Sequence, residues 1–182
     1  RRRLVSWILR GAGLTPGVKA DKIYLVGFMG AGKSTVARTL GKRLGWRVED
    51  IDAHIEALEH RSVASIFSQS GEAYFRQVER AVLGTLLTMR DVVVATGGGT
   101  FVDPANRRAM LTSGAVAWLD IPFHRVVSRV PRDGRRPLAQ DRQQLEQLFE
   151  SRRLAYSKAN VRVDSSGSVD GVVEQLLAWI GY

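Results

Sequence analysis

Residues 23–35 read Ile-Tyr-Leu-Val-Gly-Phe-Met-Gly-Ala-Gly-Lys-Ser-Thr, an apolar run, a glycine-rich turn and the start of an amphipathic segment. Gly27, Gly32, Lys33 and Ser34 satisfy the spacing G-x-x-x-x-G-K-[ST], in which each residue type has a mechanical reason. The glycines let the backbone wind round a phosphate with its N–H groups inward, and the following helix aims its positive end at the same anion. Lys33 is placed to span β- and γ-phosphate oxygens and Ser34 to hold Mg²⁺. Ile23 to Val26 suits a buried parallel strand, while Val36, Ala37, Leu40 and Leu44 keep a helical period after the turn. The stretch predicts a strand, a nucleotide-phosphate loop and a helix.

Working outward, the pattern keeps alternating strand and helix, the signature of an α/β fold with a parallel sheet. Strands are predicted at 23–27, 47–49, 92–96, 115–119 and 160–164. Helices are predicted near 33–44, 53–59, 62–69, 72–89, 104–112, 123–129, 141–158 and 169–180. Gly71 and Gly114 punctuate them, and Asp103-Pro104 supplies a cap followed by proline in the first turn.

The chain has 182 residues, 45% of them hydrophobic and 25% charged, which fits one compact domain. Its apolar runs fall short of the ~18 residues that a membrane span needs. Cysteine is absent, which excludes disulfides and thiolate metal sites and is compatible with a reducing cytoplasm, the expected location. The net charge of +9 is concentrated in three places: residues 1–20, the run Arg125, Arg129, Arg132, Arg135 and Arg136, and the run Arg142, Arg152 and Arg153. With few aromatics beside them for base stacking, these arginines point to phosphate contact rather than to nucleic acid. Residues 1–20 hold an apolar stretch too short for a signal-peptide core and then Gly11, Gly13, Pro16 and Gly17, and read as a basic appendage to a domain at 21–182.

Asp50-Ile51-Asp52 follows directly on a predicted strand, so both carboxylates can face the sheet edge where such folds bind ligands. One can hold Mg²⁺ while the other reaches an acceptor hydroxyl. Two further constellations are Gly71-Glu72-Ala73-Tyr74-Phe75-Arg76-Gln77-Val78-Glu79 and Thr96-Gly97-Gly98-Gly99-Thr100. Together with Arg136-Pro137-Leu138 and Arg152-x-x-x-Tyr156, and in this order, they make the chain resemble the shikimate kinase family from about residue 22 to 182.

That resemblance implies a P-loop kinase fold with a five-stranded parallel sheet in the order 2-3-1-4-5, a substrate-binding helical region at about 52–80 and a lid at about 123–136. It implies transfer of a phosphoryl group from MgATP to the 3-hydroxyl of shikimate, in the route to chorismate and aromatic amino acids, by a monomer needing neither nucleic acid nor membrane. ATP would lie on Gly30, Ala31, Gly32, Lys33, Ser34 and Thr35, with Arg129 packed on adenine and Arg136 of the lid at the transferring phosphate. Ser34 and Asp50 would hold Mg²⁺, and Asp52, Lys33 and Arg136 would be catalytic. Shikimate would meet Asp52, Arg76, Arg152, Gly97, Gly98 and Gly99, with Phe67 and Phe75 as walls and Glu79 orienting Arg76. Planar guanidinium forks suit its carboxylate, and glycines let backbone approach its ring.

The sequence departs from the family pattern in three places. Arg153-Leu154-Ala155 stands where a proline is common between Arg152 and the tyrosine, the lid has only Gly134 as a flexible point, and residues 1–20 lie outside the family's core. Two alternatives come from other classes: a ligand-sensing regulatory domain that has lost catalysis, and a kinase for another hydroxy acid such as gluconate. Retention of Lys33, Asp50, Asp52 and Arg136 argues against the first, and Phe75-Arg76 with the triple glycine against the second.

Overall fold

The computed structural model describes residues 20–129 and 141–182. Most of the appendage and the segment 130–140, which holds Arg136, lie outside the described residues. The five strands are β1 (Lys22–Val26), β2 (Arg47–Asp50), β3 (Val92–Ala95), β4 (Ala115–Asp120) and β5 (Val161–Asp164). They form one sheet in the order β2-β3-β1-β4-β5, and every neighbouring pair is parallel. The centre is the most apolar part: β1, β3 and β4 are buried along their whole length, as strands covered by helices on both faces must be.

Seven helices connect and cover the strands among the described residues: α1 (Lys33–Leu44), α2 (Ile51–Glu59), α3 (Val63–Leu86), α4 (Pro104–Ser113), α5 (Phe123–Arg129), α6 (Arg142–Tyr156) and α7 (Val169–Ile180). No described helix is long and apolar enough to cross a membrane. The predicted order of elements is the observed one, and the differences lie at boundaries. Helix α2 begins at Ile51 rather than 53, because the Asp50 side chain caps it, accepting from the Asp52 and Ala53 amides. The helices predicted at 62–69 and 72–89 run on as α3, broken only where Gly71 takes φ 80° and ψ 170°, a conformation cheap for glycine alone. Asp103 caps α4 ahead of Pro104 as expected.

These elements bring four segments together at the C-terminal edge of the sheet: the loop after β1, the start of α2, the middle of α3 and the loop after β3. Helix α6 joins them from the other side through Phe149, whose ring meets Phe28 of the first loop edge-on at 5.2 Å.

Candidate active site

A cleft of about 760 Å³ opens along that edge. At one end lies the loop 27–32. Gly30 and Gly32 take left-handed φ of 80° and 85°, which turns the loop so that α1 starts directly behind it. Lys33 bends over this loop and donates to the Gly27 and Phe28 carbonyls at 2.8 and 3.0 Å. Gly30, Gly32, Lys33, Ser34 and Thr35 line the cleft, whereas Ala31 is buried and its amide donates to the Phe28 carbonyl. Arg129, at the end of α5, donates to the Gly30 carbonyl at 3.3 Å and also lines the cleft. Ser34 donates its hydroxyl proton to Asp50 Oδ2 at 2.6 Å. A hydroxyl and a carboxylate oxygen, both hard donors, thus meet beside the phosphate loop and fit a Mg²⁺ that takes most of its other ligands from water and phosphate.

The opposite end is built around Glu79, which is fully buried in the second half of α3. Its Oε2 accepts from Arg76 Nη1 at 2.8 Å and its Oε1 from the Thr100 hydroxyl at 2.6 Å, so both oxygens are satisfied and Arg76 is tied to the loop after β3. Glu72 takes the other edge of the fork, accepting from Arg76 Nε and Nη2 at 3.2 and 3.1 Å. Burial pulls the Arg76 pKa down, but the Glu79 and Glu72 carboxylates outweigh it and hold it above its ordinary value. Phe75 is buried with its ring 4.6 Å from that of Phe67, and both line the cleft.

The triple glycine has a more specific reason than close approach to a ring. A Cβ on Gly97 would lie 2.9 Å from Asp52 Oδ1, one on Gly98 would lie 3.1 Å from Arg152 Nη1, and one on Gly99 would lie 2.6 Å from Arg76 Nη1. Each glycine therefore makes room for one of the three charged side chains expected to meet substrate. Arg152 comes from α6, is buried, and lies with its guanidinium carbon 5.6 Å above the Phe28 ring. One turn on, Tyr156 donates its hydroxyl proton to the Gly98 carbonyl, and burial pushes its pKa up to about 12 against the opposing pull of Arg152 and Arg76.

All the expected site residues within the described parts thus border one cleft, apart from Ala31 behind the loop. Arg136 lies outside the described residues. Sequence reading missed several residues: Met29 and Glu56 line the cleft, and Glu72 holds Arg76. Glu56 was within reach of pattern alone, since it lies four residues after Asp52 on the same helical face. Its Oε1 accepts from the Val63 amide at 2.9 Å, fastening α2 to the start of α3.

A phosphate loop with a hydroxyl–carboxylate pair at one end of a cleft, and Asp52, Arg76 and Arg152 gathered round a triple glycine at the other, defines a small-molecule kinase of the P-loop class. A sequence model of shikimate kinase matches residues 29–181, and the chain belongs to that family. Shikimate kinase of Persephonella marina is 42% identical over 160 residues, covering 87% of this chain and 98% of its own. The structure of shikimate kinase from Acinetobacter baumannii in complex with shikimate is 35% identical with a TM-score of 0.83, covering 87% of this chain and 92% of that one. A gluconokinase from Sinorhizobium meliloti, 19% identical with a TM-score of 0.55, shares the fold alone.

Proposed function

We propose that the chain transfers the γ-phosphoryl group of MgATP to the 3-hydroxyl of shikimate, giving shikimate 3-phosphate and ADP. The observation that carries the reading is the meeting of Asp52, Arg76 and Arg152 around Gly97, Gly98 and Gly99, in the same cleft as Lys33. Shikimate is a carboxylate on a hydroxylated ring. Arg76 and Arg152 take its carboxylate, which leaves the ring hydroxyls toward Asp52.

Asp52 accepts the proton of the attacking hydroxyl, whose oxygen forms the new bond to phosphorus as the bond to the ADP oxygen breaks. Lys33 offsets charge on the phosphates, and loop amides at the start of α1 do the same from below. Ser34 and Asp50 would hold Mg²⁺, which when bound neutralises charge shared by the β- and γ-phosphates. Arg129 would pack on adenine. Arg136, carried by a lid at 123–136, would reach the transferring group. Residues 21–182 work as one unit with the substrate region at about 52–80, and a single cytoplasmic copy suffices because all these groups lie on one chain.

ADP release followed by a coupled assay tests this directly. It is expected with shikimate and not with gluconate; equal release with gluconate, or none with shikimate, would overturn the assignment. A sensing domain without turnover is separated by the same measurement, since it would bind the acid and release no ADP.

A further inference from the structure

Arg153 takes no part in the chemistry just described, yet this half-buried cation makes one ion pair and packs on two aromatic rings. Its Nη1 donates to Asp120 Oδ1 at 3.1 Å, at the end of β4. Its guanidinium carbon lies 5.3 Å from the Trp118 ring and 5.5 Å from the Phe149 ring, so the flat group is held by two aromatic side chains and a carboxylate. Phe149 in turn meets Phe28 of the phosphate loop, and Phe28 carries Arg152 on its ring. A continuous set of contacts therefore runs from the end of β4, through Arg153 and Phe149, to Phe28 and the guanidinium of Arg152.

We propose that Arg153 is a positioning residue: it pins α6 to the end of β4 and thereby sets Arg152 and Tyr156 against the Gly98 loop. Adjacent residues on a helix point about 100° apart, so Arg153 can grip the sheet edge while Arg152 faces the cleft. The need for a pin follows from the way α6 docks. Its buried stripe, Leu145, Phe149, Arg152 and Tyr156, contains one charged group and two aromatic rings, and only one aliphatic side chain. Arg153 occupies a position in the stretch between Arg152 and Tyr156 where no proline stiffens the chain, and it supplies a fixed point by side-chain contact instead.

Asp120 keeps a second partner. Arg162 on β5 donates from Nε to Asp120 Oδ2 at 2.8 Å, and its guanidinium carbon also lies 5.1 Å from the Trp118 ring. Removing Arg153 therefore leaves Asp120 paired and the sheet edge intact, so the loss falls on α6. Arg162 is the natural control, because it shares the carboxylate and the tryptophan but is not on α6.

This inference rests on the proposed function. Its test is steady-state kinetics of Arg153→Ala, Arg153→Lys and Arg162→Ala with shikimate and ATP varied separately. Arg153→Ala is expected to raise KM for shikimate about tenfold, with kcat and the KM for ATP changing less than about threefold. Lysine keeps charge toward Asp120 but loses the flat stacking face, and is expected to fall between, near threefold. Arg162→Ala is expected to match the unaltered chain. An unchanged shikimate KM in Arg153→Ala, an equal rise for ATP, or the same effect from Arg162→Ala would overturn the inference while leaving the proposed function standing. If Arg153→Ala does not fold, Arg153→Lys decides by the same criterion. Absence of turnover with shikimate in the unaltered chain would overturn the function and this inference with it.

Discussion

Gly99→Ala is the sharpest perturbation the site offers, because it adds one methyl group and its target is known. The new Cβ would lie 2.6 Å from Arg76 Nη1 and 2.7 Å from Cζ, and closer still to Nη2. Ordinary contact begins at 3.4 Å, so the guanidinium must withdraw by about 0.8 Å or more. It cannot withdraw without disturbing its bond to Glu79, which is fully buried and fixed by Thr100. A shift of about 1 Å in a substrate-positioning group can cost on the order of 10²-fold, so KM for shikimate should rise by roughly 30- to 100-fold. The displaced atoms are the end of a long side chain rather than backbone, so the stability cost should stay near 1 kcal/mol, the low end for an overpacked site.

The assay is the coupled measurement of ADP with each substrate varied in turn, beside a thermal melt of the same sample. Neighbouring glycines give an internal scale. Gly98→Ala meets Arg152 Nη1 at 3.1 Å and should cost only a few-fold, whereas Gly97→Ala crowds Asp52 Oδ1 at 2.9 Å and should lower kcat more than it raises KM. A Gly99→Ala protein with native melting and an unchanged shikimate KM would refute the placement of Arg76 against this loop as the acid-binding arrangement. An equal rise in the KM for ATP would refute its specificity.

Other expectations follow from the same geometry. Lys33→Ala and Asp52→Asn should each lower kcat by about 10²-fold or more with folding intact, measured by the same assay; near-full turnover in either would remove its role. Arg76→Lys should raise the KM for shikimate more than that for ATP, since lysine keeps charge but cannot serve Glu79 and a carboxylate with a planar fork. Tyr156 should remain protonated until about pH 12, read by the ultraviolet absorbance of its phenolate. Because the folded protein holds this proton more tightly than the unfolded chain does, its contribution to stability is complete below about pH 10 and is lost as pH rises toward 12. The Tyr156→Phe variant should therefore show a shallower loss of stability across that window.

What was legible in the sequence was local. The phosphate loop is nine consecutive residues whose types are each dictated by one anion, and the strands are short apolar runs, so both could be read without knowing what they would pack against. Boundaries slipped where a side chain decided them: Asp50 was read as a ligand, and its second job as the cap that starts α2 at Ile51 depends on one carboxylate oxygen serving the Asp52 amide while the other serves Ser34. The triple glycine was read as space for a ring. Space for Asp52, Arg152 and Arg76 could not be seen, because those three come from α2, α6 and α3 and meet only after the sheet has formed. Arg153 was noted only as part of a basic run and of the stretch Arg153-Leu154-Ala155, where a proline is common. Its partners Trp118 and Asp120 lie more than thirty residues earlier, on strand β4, where no spacing rule reaches.

The two arginines proposed to take the acid are held in different ways, and the difference bears on why α6 needs a fixed end. Arg76 is neutralised before any substrate arrives, with Glu79 on one nitrogen and Glu72 on the opposite edge, so it offers shape more than charge. No carboxylate among the described residues pairs with Arg152, whose guanidinium rests on the Phe28 ring. Attraction of a carboxylate into the cleft therefore falls chiefly to Arg152, and its strength depends on where that one charge sits. Arg76 is placed by a helix whose buried face is continuous with the core. Arg152 is placed by a helix that reaches the sheet through Phe149, Tyr156 and Arg153, and the Tyr156 hydroxyl holds only the Gly98 side of the cleft. Fixing the helix at the end of β4 keeps this buried charge preorganised, which is the condition under which an electrostatic contact contributes to binding rather than being spent on ordering the side chain.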